Sequence, residues 1–160
     1  MTTIYYENWS VAHLSDQDGL SLSYDAEWEK RSSAFPLSLT MPMRAGSYGA
    51  ERVMPWLANL LPETHLSEIG QQLKVSPQDV LGLLMRVGRD TAGAFSIGEP
   101  RREGNNFRIV DDEAALERII DELPERPFLI GERGVSLSLA GVQNKLPVYL
   151  DQDGRIGIPL

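Results

Sequence analysis

The chain has no cysteine, and that absence removes disulfide staples, thiolate zinc sites and thiol nucleophiles together. It also fits a reducing compartment, so the expected location is the cytoplasm. Histidine is nearly as scarce. His13 and His65 are the only two in 160 residues, too few and too scattered for a metal cluster, and no metal site is expected. No apolar run approaches the roughly 18 residues of a membrane span, and the N-terminus lacks a basic stretch followed by an apolar one, so neither span nor signal peptide is expected. Positive charge is in the minority, with 15 Lys and Arg against 23 Asp and Glu and a formal net charge of −8. A phosphate-gripping face needs clustered cations, whereas Arg44, Arg52, Arg86, Arg89, Arg101 and Arg102 form only loose groups. Direct nucleic-acid binding is therefore not expected; the acidic excess suits solubility or a basic partner.

What the chain does have is enough apolar residue, 42%, to bury a core as one domain or one domain plus a small lobe. Ile4-Tyr5-Tyr6, Val11 to Leu14 and Leu20 to Tyr24, with a turn at Asp16-Gln17-Asp18-Gly19, predict a small antiparallel meander. Pro36 and Pro42 keep Phe35 to Pro42 extended. A first helix is predicted from about Ala50 to Leu61, with Val53, Met54, Leu57, Leu60 and Leu61 on its apolar stripe and Trp56 beside it. A short segment from Glu63 to Leu73 follows. The third helix has the clearest boundaries, with Ser76 as N-cap, Pro77 in the first turn, Asp79 near the positive end and Gly88 just past the end. Ala94 to Ile97 and Phe107 to Val110 read as strands joined by a polar loop, and Asp111 as the cap of a helix running to Leu123 with Leu116, Ile119 and Ile120 inward. The fold class is α+β, a small antiparallel sheet with a helical cluster. The boundaries are an N-terminal unit over 1–123, a Pro/Glu/Arg/Gly-rich linker over 124–134 and a second lobe beginning at 135–160.

Several catalytic patterns fail on spacing. Gly88-Arg89-Asp90 looks like a protein-kinase catalytic loop, but Phe95 stands where that pattern has Asn. Gly134 to Gly141 lacks Walker spacing and its Lys-Ser or Lys-Thr ending. No Gly-x-Ser-x-Gly elbow is present. Capping accounts for Gly88 to Ala94 as a helix end and tight turn with Arg89 and Asp90 pairing locally; the functional reading has this loop pack under a ligand or a neighbouring lobe. Trp56 and Leu60 are expected in the core, and Asn59 is expected to satisfy a buried backbone group.

The last stretch reads as strand, small-residue loop, strand. Ser138-Leu139-Ala140-Gly141-Val142-Gln143 lets backbone N–H groups approach an anionic ligand, because small side chains do not block them. Leu146 to Leu150 and Arg155 to Ile158 form a hairpin through Asp151-Gln152-Asp153-Gly154, and its outer strand is expected to be an open edge carrying Ile156 and Ile158.

Three blocks, Asn59-Leu60-Leu61-Pro62-Glu63, Val87-Gly88-Arg89-Asp90-Thr91-Ala92-Gly93-Ala94 and Ser138 to Lys145, in this order, make the chain resemble the N-terminal part of a HipA-family serine/threonine kinase, the toxin of bacterial toxin–antitoxin modules. The resemblance implies that residues 135–160 begin a kinase-like N-lobe. Leu139, Ala140, Gly141, Val142 and Gln143 would then lie in a glycine-rich loop over ATP and Mg, and Ser138 would be a regulatory autophosphorylation site. Phosphate there would place nearly two negative charges where those of ATP sit. Trp56, Asn59, Leu60, Pro62, Gly88, Arg89, Asp90 and Gly93 would be structural or lobe-contact residues. The family's ATP-gripping lysine, catalytic aspartate and magnesium ligands have no counterpart here, and Lys145 falls inside the loop. No catalytic residue and no tight cofactor binding are therefore expected of these 160 residues alone. The implied partners are a HipB-like helix-turn-helix antitoxin, which carries the DNA contacts, and the kinase C-terminal lobe, with a homodimer through the terminal hairpin as a further expectation. The alternative is a stand-alone antitoxin or interaction module that performs no chemistry.

Overall fold

The computed structural model describes residues 1–43, 46–62, 65–89, 91, 93–100, 107–123, 146 and 148–159. β1 (Thr2–Tyr6), β2 (Trp9–Ser15) and β3 (Ser21–Tyr24) form the expected antiparallel meander. β4 (Ser47–Gly49) joins β3 and β5 (Phe95–Ile97) joins β1, giving the order β4-β3-β2-β1-β5. The β1–β2 register slips after Ile4, since Ile4 faces Ala12 whereas Tyr5 faces Ser10. Val11 is the extra residue of this bulge, so Val11 and Ala12 are both buried where strict alternation would turn one outward. The Val11 carbonyl accepts from the Asp25 backbone N–H at 2.8 Å. That bond starts α1 (Ala26–Glu29), a single turn capped by Asp25 that the sequence reading did not anticipate. Phe35 to Pro42 contains no helix, as its prolines require, but it is not extended throughout. Ser38 to Met41 closes a turn, with Met41 N–H donating to the Ser38 carbonyl at 3.0 Å, because Pro36 and Pro42 restrict only themselves and the residues before them. The segment is clamped by two tyrosines. Tyr24 Oη accepts from Leu37 N–H and donates to the Met41 carbonyl, and Tyr48 Oη donates to the Pro42 carbonyl.

α2 (Ala50–Ala58), α3 (Leu66–Leu73) and α4 (Val80–Val87) form the helical cluster that packs with this sheet. Ile4, Leu14, Leu22, Val53, Leu57, Ile69, Leu83 and Leu84 are the buried centre. Two expectations about α2 change. It ends at Asn59, with Leu60 and Leu61 continuing in turns, and Met54 is exposed, because the buried stripe runs through Val53 and Leu57. The N-cap of α4 is Asp79, whose Oδ1 accepts from Gly82 N–H at 2.8 Å. Ser76 instead opens a separate turn closed by Asp79 N–H to the Ser76 carbonyl. Pro77 suits the second position of such a turn as well as it suits a first helical turn.

β6 (Phe107–Ile109), β7 (Tyr149–Leu150) and β8 (Ile156–Pro159) form a second sheet in the order β6-β8-β7, accompanied by α5 (Glu113–Glu122). The two strands read as neighbours across a polar loop, β5 and β6, thus belong to different sheets. β6 and α5, which the sequence reading placed with the N-terminal unit, pair and pack with the terminal hairpin: Ile158 and Leu123 are buried against Val110, Ile119 and Leu146. α5 is capped by Asp112, whose Oδ1 accepts from Ala115 N–H at 2.7 Å, and not by Asp111. Ile120 is exposed, since a three-stranded sheet covers only a narrow strip of the helix. The open-edge expectation for Arg155 to Ile158 is overturned: β8 is central, paired on both sides, and Ile158 is fully buried. The edges are β6 and β7. Gly157 permits this arrangement, because a Cβ there would come within 2.7 Å of the Phe107 ring, which stacks on Tyr149 with centroids 4.4 Å apart. The 124–134 linker lies outside the described residues.

Candidate functional site

Two of the three sequence blocks meet in space. α4 ends at Gly88, whose carbonyl accepts from Ile97 N–H at 2.6 Å. A Cβ on Gly88 would fall on the Leu84 carbonyl and 2.7 Å from the Ile97 Cβ, so glycine is required for this close approach of helix end and strand. Thr91, 3% exposed, donates from Oγ1 to the Phe95 carbonyl at 2.5 Å and accepts from Gly93 N–H at 3.4 Å, which turns the chain into β5. This brings Gly93 against the end of α2, where a Cβ on Gly93 would meet Leu60 Cδ2 at 3.6 Å. Trp56 packs on Phe95 at 6.3 Å between centroids, and Pro62 is buried.

The resulting patch joins Leu60 and Pro62 from the first block, and Trp56 from the preceding turn of α2, to Gly88 and Gly93 from the second, with Arg89 half-buried next to Gly88. Trp56 and Leu60 are half-buried at the margin of the core, not within it as expected. Asn59 is exposed at the C-cap of α2 and makes its cap bonds through its own backbone N–H, so the expected rescue of a buried backbone group is not its role. Asp90 and the whole third block, Ser138, Leu139, Ala140, Gly141, Val142 and Gln143 included, lie outside the described residues.

One cluster was invisible in the sequence. Asp25 is a four-donor hub: Oδ1 accepts from the N–H groups of Glu27 at 2.8 Å and Trp28 at 3.4 Å, and Oδ2 from Ser10 Oγ at 2.9 Å and His13 Nε2 at 3.1 Å. Burial pushes the carboxyl up, but the bonds from Ser10, the Glu27 N–H, His13 and the Trp28 N–H together outweigh it and hold Asp25 below its usual value. Ser10 and His13 share one carboxylate oxygen, so the hydroxyl is aligned with the acid and not with the imidazole, and the group is a structural tie and not a nucleophile relay. Asp25 before Ala26-Glu27-Trp28 does carry an N-cap signature; its link to His13 is cross-strand and leaves no local trace. Among the described residues no group of His, Asp and Glu could hold a metal ion, and no helix is long and apolar enough to cross a membrane.

The comparisons agree with this architecture. A family model described as the HipA N-terminal domain matches residues 2–98, the stretch that contains the five-stranded sheet and the helical cluster. The chain belongs to the HipA family. It is 36% identical over 149 residues to a Sinorhizobium fredii (strain NBRC 101917 / NGR234) protein named "Putative kinase Y4mE", covering 88% of this chain and 35% of that one. It is 33% identical over 136 residues to the "Serine/threonine-protein kinase toxin HipA" of Shewanella oneidensis, covering 82% and 30%. A shorter, uncharacterized protein of Haemophilus influenzae matches at 25% identity over 88 residues, 54% of this chain and 79% of its own length. Among solved structures, HipA in a complex of HipA, HipB and operator DNA from Shewanella oneidensis MR-1 superposes with a TM-score of 0.69 at 28% identity, over 99% of this chain and 39% of that one. The chain thus spans about a third of the length of its kinase relatives.

Proposed function

We propose that this chain is the N-terminal lobe of a HipA-type serine/threonine kinase toxin, acting in the cytoplasm. The observation that carries the reading is the meeting of the Asn59–Pro62 and Gly88–Gly93 blocks within a HipA N-terminal fold. The patch of Trp56, Leu60, Arg89 and Gly93 serves as the contact for a neighbouring lobe, and the buried Pro62 is a structural residue. The small-residue loop, Leu139 to Gln143, covers ATP and Mg in the kinase-length protein, and Ser138 is its regulatory phosphorylation site; bound there, the nucleotide supplies the phosphoryl group. A HipB-like antitoxin binds the assembly and makes the DNA contacts, consistent with the complex from Shewanella and with this chain's negative charge. The test uses both lengths. The 160-residue chain alone incorporates no label from radioactive ATP, and label on Ser138 in that protein would overturn the division of labour. In the kinase-length protein, Gly141→Val weakens nucleotide binding, since a β-branched side chain restricts the backbone and crowds the phosphates. Equal nucleotide affinity would remove the loop from the cradle.

A second reading is favoured by the shorter Haemophilus relative, most of whose length is matched by this chain. In it the chain acts alone as a non-catalytic antitoxin or interaction module. Co-expression with a HipA-family kinase separates the two: growth rescue by the chain without a HipB-like protein supports the module, and no rescue supports the lobe. With β8 central, self-association through the terminal hairpin would run along β7, and sedimentation equilibrium over a range of concentrations reads it directly.

A further inference from the structure

Trp9 opens β2 at the tip of the first hairpin and is 48% exposed. The register sets Trp9 opposite Tyr6, and Tyr6 opposite Phe95, so the three aromatics form one cross-strand row that runs from a buried end to an open one. Arg31 lays its guanidinium carbon 3.5 Å from the centre of the Trp9 ring. Its backbone is held by a bond from Arg31 N–H to the Trp28 carbonyl at 3.0 Å and one from Ala34 N–H to the Arg31 carbonyl at 3.1 Å. Trp28 is itself buried and packs against Tyr6 and Phe35. The cation is therefore ordered in advance by rigid neighbours.

Stacking uses the flat face of a guanidinium and leaves its N–H donors in the plane. None of the ion pairs among the described residues involves Arg31. Its Nε is buried without a hydrogen-bond partner among the described residues, which leaves the Nη end of the guanidinium to meet an acceptor in that plane. A carboxylate fits, because its two oxygens match the guanidinium fork. A nucleic-acid backbone does not. It presents phosphates in series and requires several cations, whereas Lys30, the nearest basic residue in sequence, is paired to Glu27 at 2.6 Å and leaves Arg31 to meet a single carboxylate. The open half of the Trp9 ring offers an apolar surface beside the fork, and Trp and Arg are the residues that most often dominate protein interfaces.

We propose that the Trp9–Arg31 stack is an anchor for an acidic and apolar peptide segment of a protein partner, with a side-chain carboxylate on the Arg31 fork and an apolar side chain against Trp9. This site is separate from the lobe-contact patch and does not depend on the kinase or antitoxin reading. The test is an NMR titration of the 160-residue chain that follows the Arg31 Nε–H and the Trp9 indole N–H, with acetyl-Asp-Leu-amide, acetyl-Asn-Leu-amide and inorganic phosphate as separate probes. The Asp peptide is expected to shift both signals saturably, with the Asn peptide and the Arg31→Lys protein at least about tenfold weaker. Loss of saturation with the Asp peptide, equal binding of the Asn peptide, or phosphate binding as tightly as the Asp peptide would each overturn the assignment. The comparison of Asp and Asn probes on the unaltered protein decides the matter even where a variant fails to fold.

Discussion

Replacing Asp25 by Ala removes an acceptor for four donors at once. The helix cap alone, through the Glu27 and Trp28 N–H groups, is worth about 1 kcal/mol. Ser10 Oγ and His13 Nε2 lose a charged acceptor in a half-buried place, where the Asp25 side chain is 20% exposed and His13 25%. Bonds to charged groups contribute roughly 1.5–3 kcal/mol each, and partial solvation brings these two toward about 1 kcal/mol apiece. The sum is about 2–4 kcal/mol, a large part of a stability of about 5–15 kcal/mol. For a chain of this size it corresponds to a fall in Tm of about 5–15 °C. Asp25→Asn keeps a capping oxygen and loses the anion, so it should cost less than Ala. The pH dependence has a fixed sign. The folded carboxyl sits below its ordinary value of 3.8, so its contribution is present above that value and is lost as pH falls through the lower folded value. Urea unfolding at pH 7 and at successive steps below 4 measures both effects. A destabilisation by Ala under about 1 kcal/mol at pH 7, or identical losses for Ala and Asn, would refute the hub.

Three further outcomes follow from the packing. Gly88→Val should destabilise by at least about 2 kcal/mol through overpacking against Ile97, and hydrogen exchange should speed at the Ile97 amide; unchanged protection there would show that the helix end and strand can separate without cost. Gly157→Val should displace Phe107 from Tyr149 and loosen the second sheet, which near-ultraviolet circular dichroism and exchange at β8 amides detect; native signals would mean that the Phe107 ring has another place to lie. Trp56→Ala should cost about 2–3 kcal/mol, less than a fully buried Trp, because the ring is half-buried, and a melting temperature unchanged from the parent would leave Trp56 to the lobe contact alone.

Local chemistry was readable in the chain itself. The meander followed from period-two runs and the turn at Asp16 to Gly19, and the lack of helix over Phe35 to Pro42 from its prolines, whereas the turn at Ser38 to Met41 within it did not. The end of α4 at Gly88 and the terminal hairpin followed from glycine and turn residues, because these signals act within a few residues of one another. The three blocks that carry the HipA resemblance were also legible, since they are linear. Which of several adjacent caps is used was not: Ser76 against Asp79, and Asp111 against Asp112, differ only by the tertiary packing that fixes where the first turn must begin. Pairing across long separations was hidden as well. β8 sits between β7 and β6, some fifty residues upstream, and that moved a strand read as an edge to the centre of its sheet. Asp25 reaches His13, Gly88 reaches Ile97 and Leu60 reaches Gly93 only because strands and helices from distant segments are brought side by side. Sequence determines such contacts through the sum of burial over the whole core, and no window of neighbouring residues contains that sum.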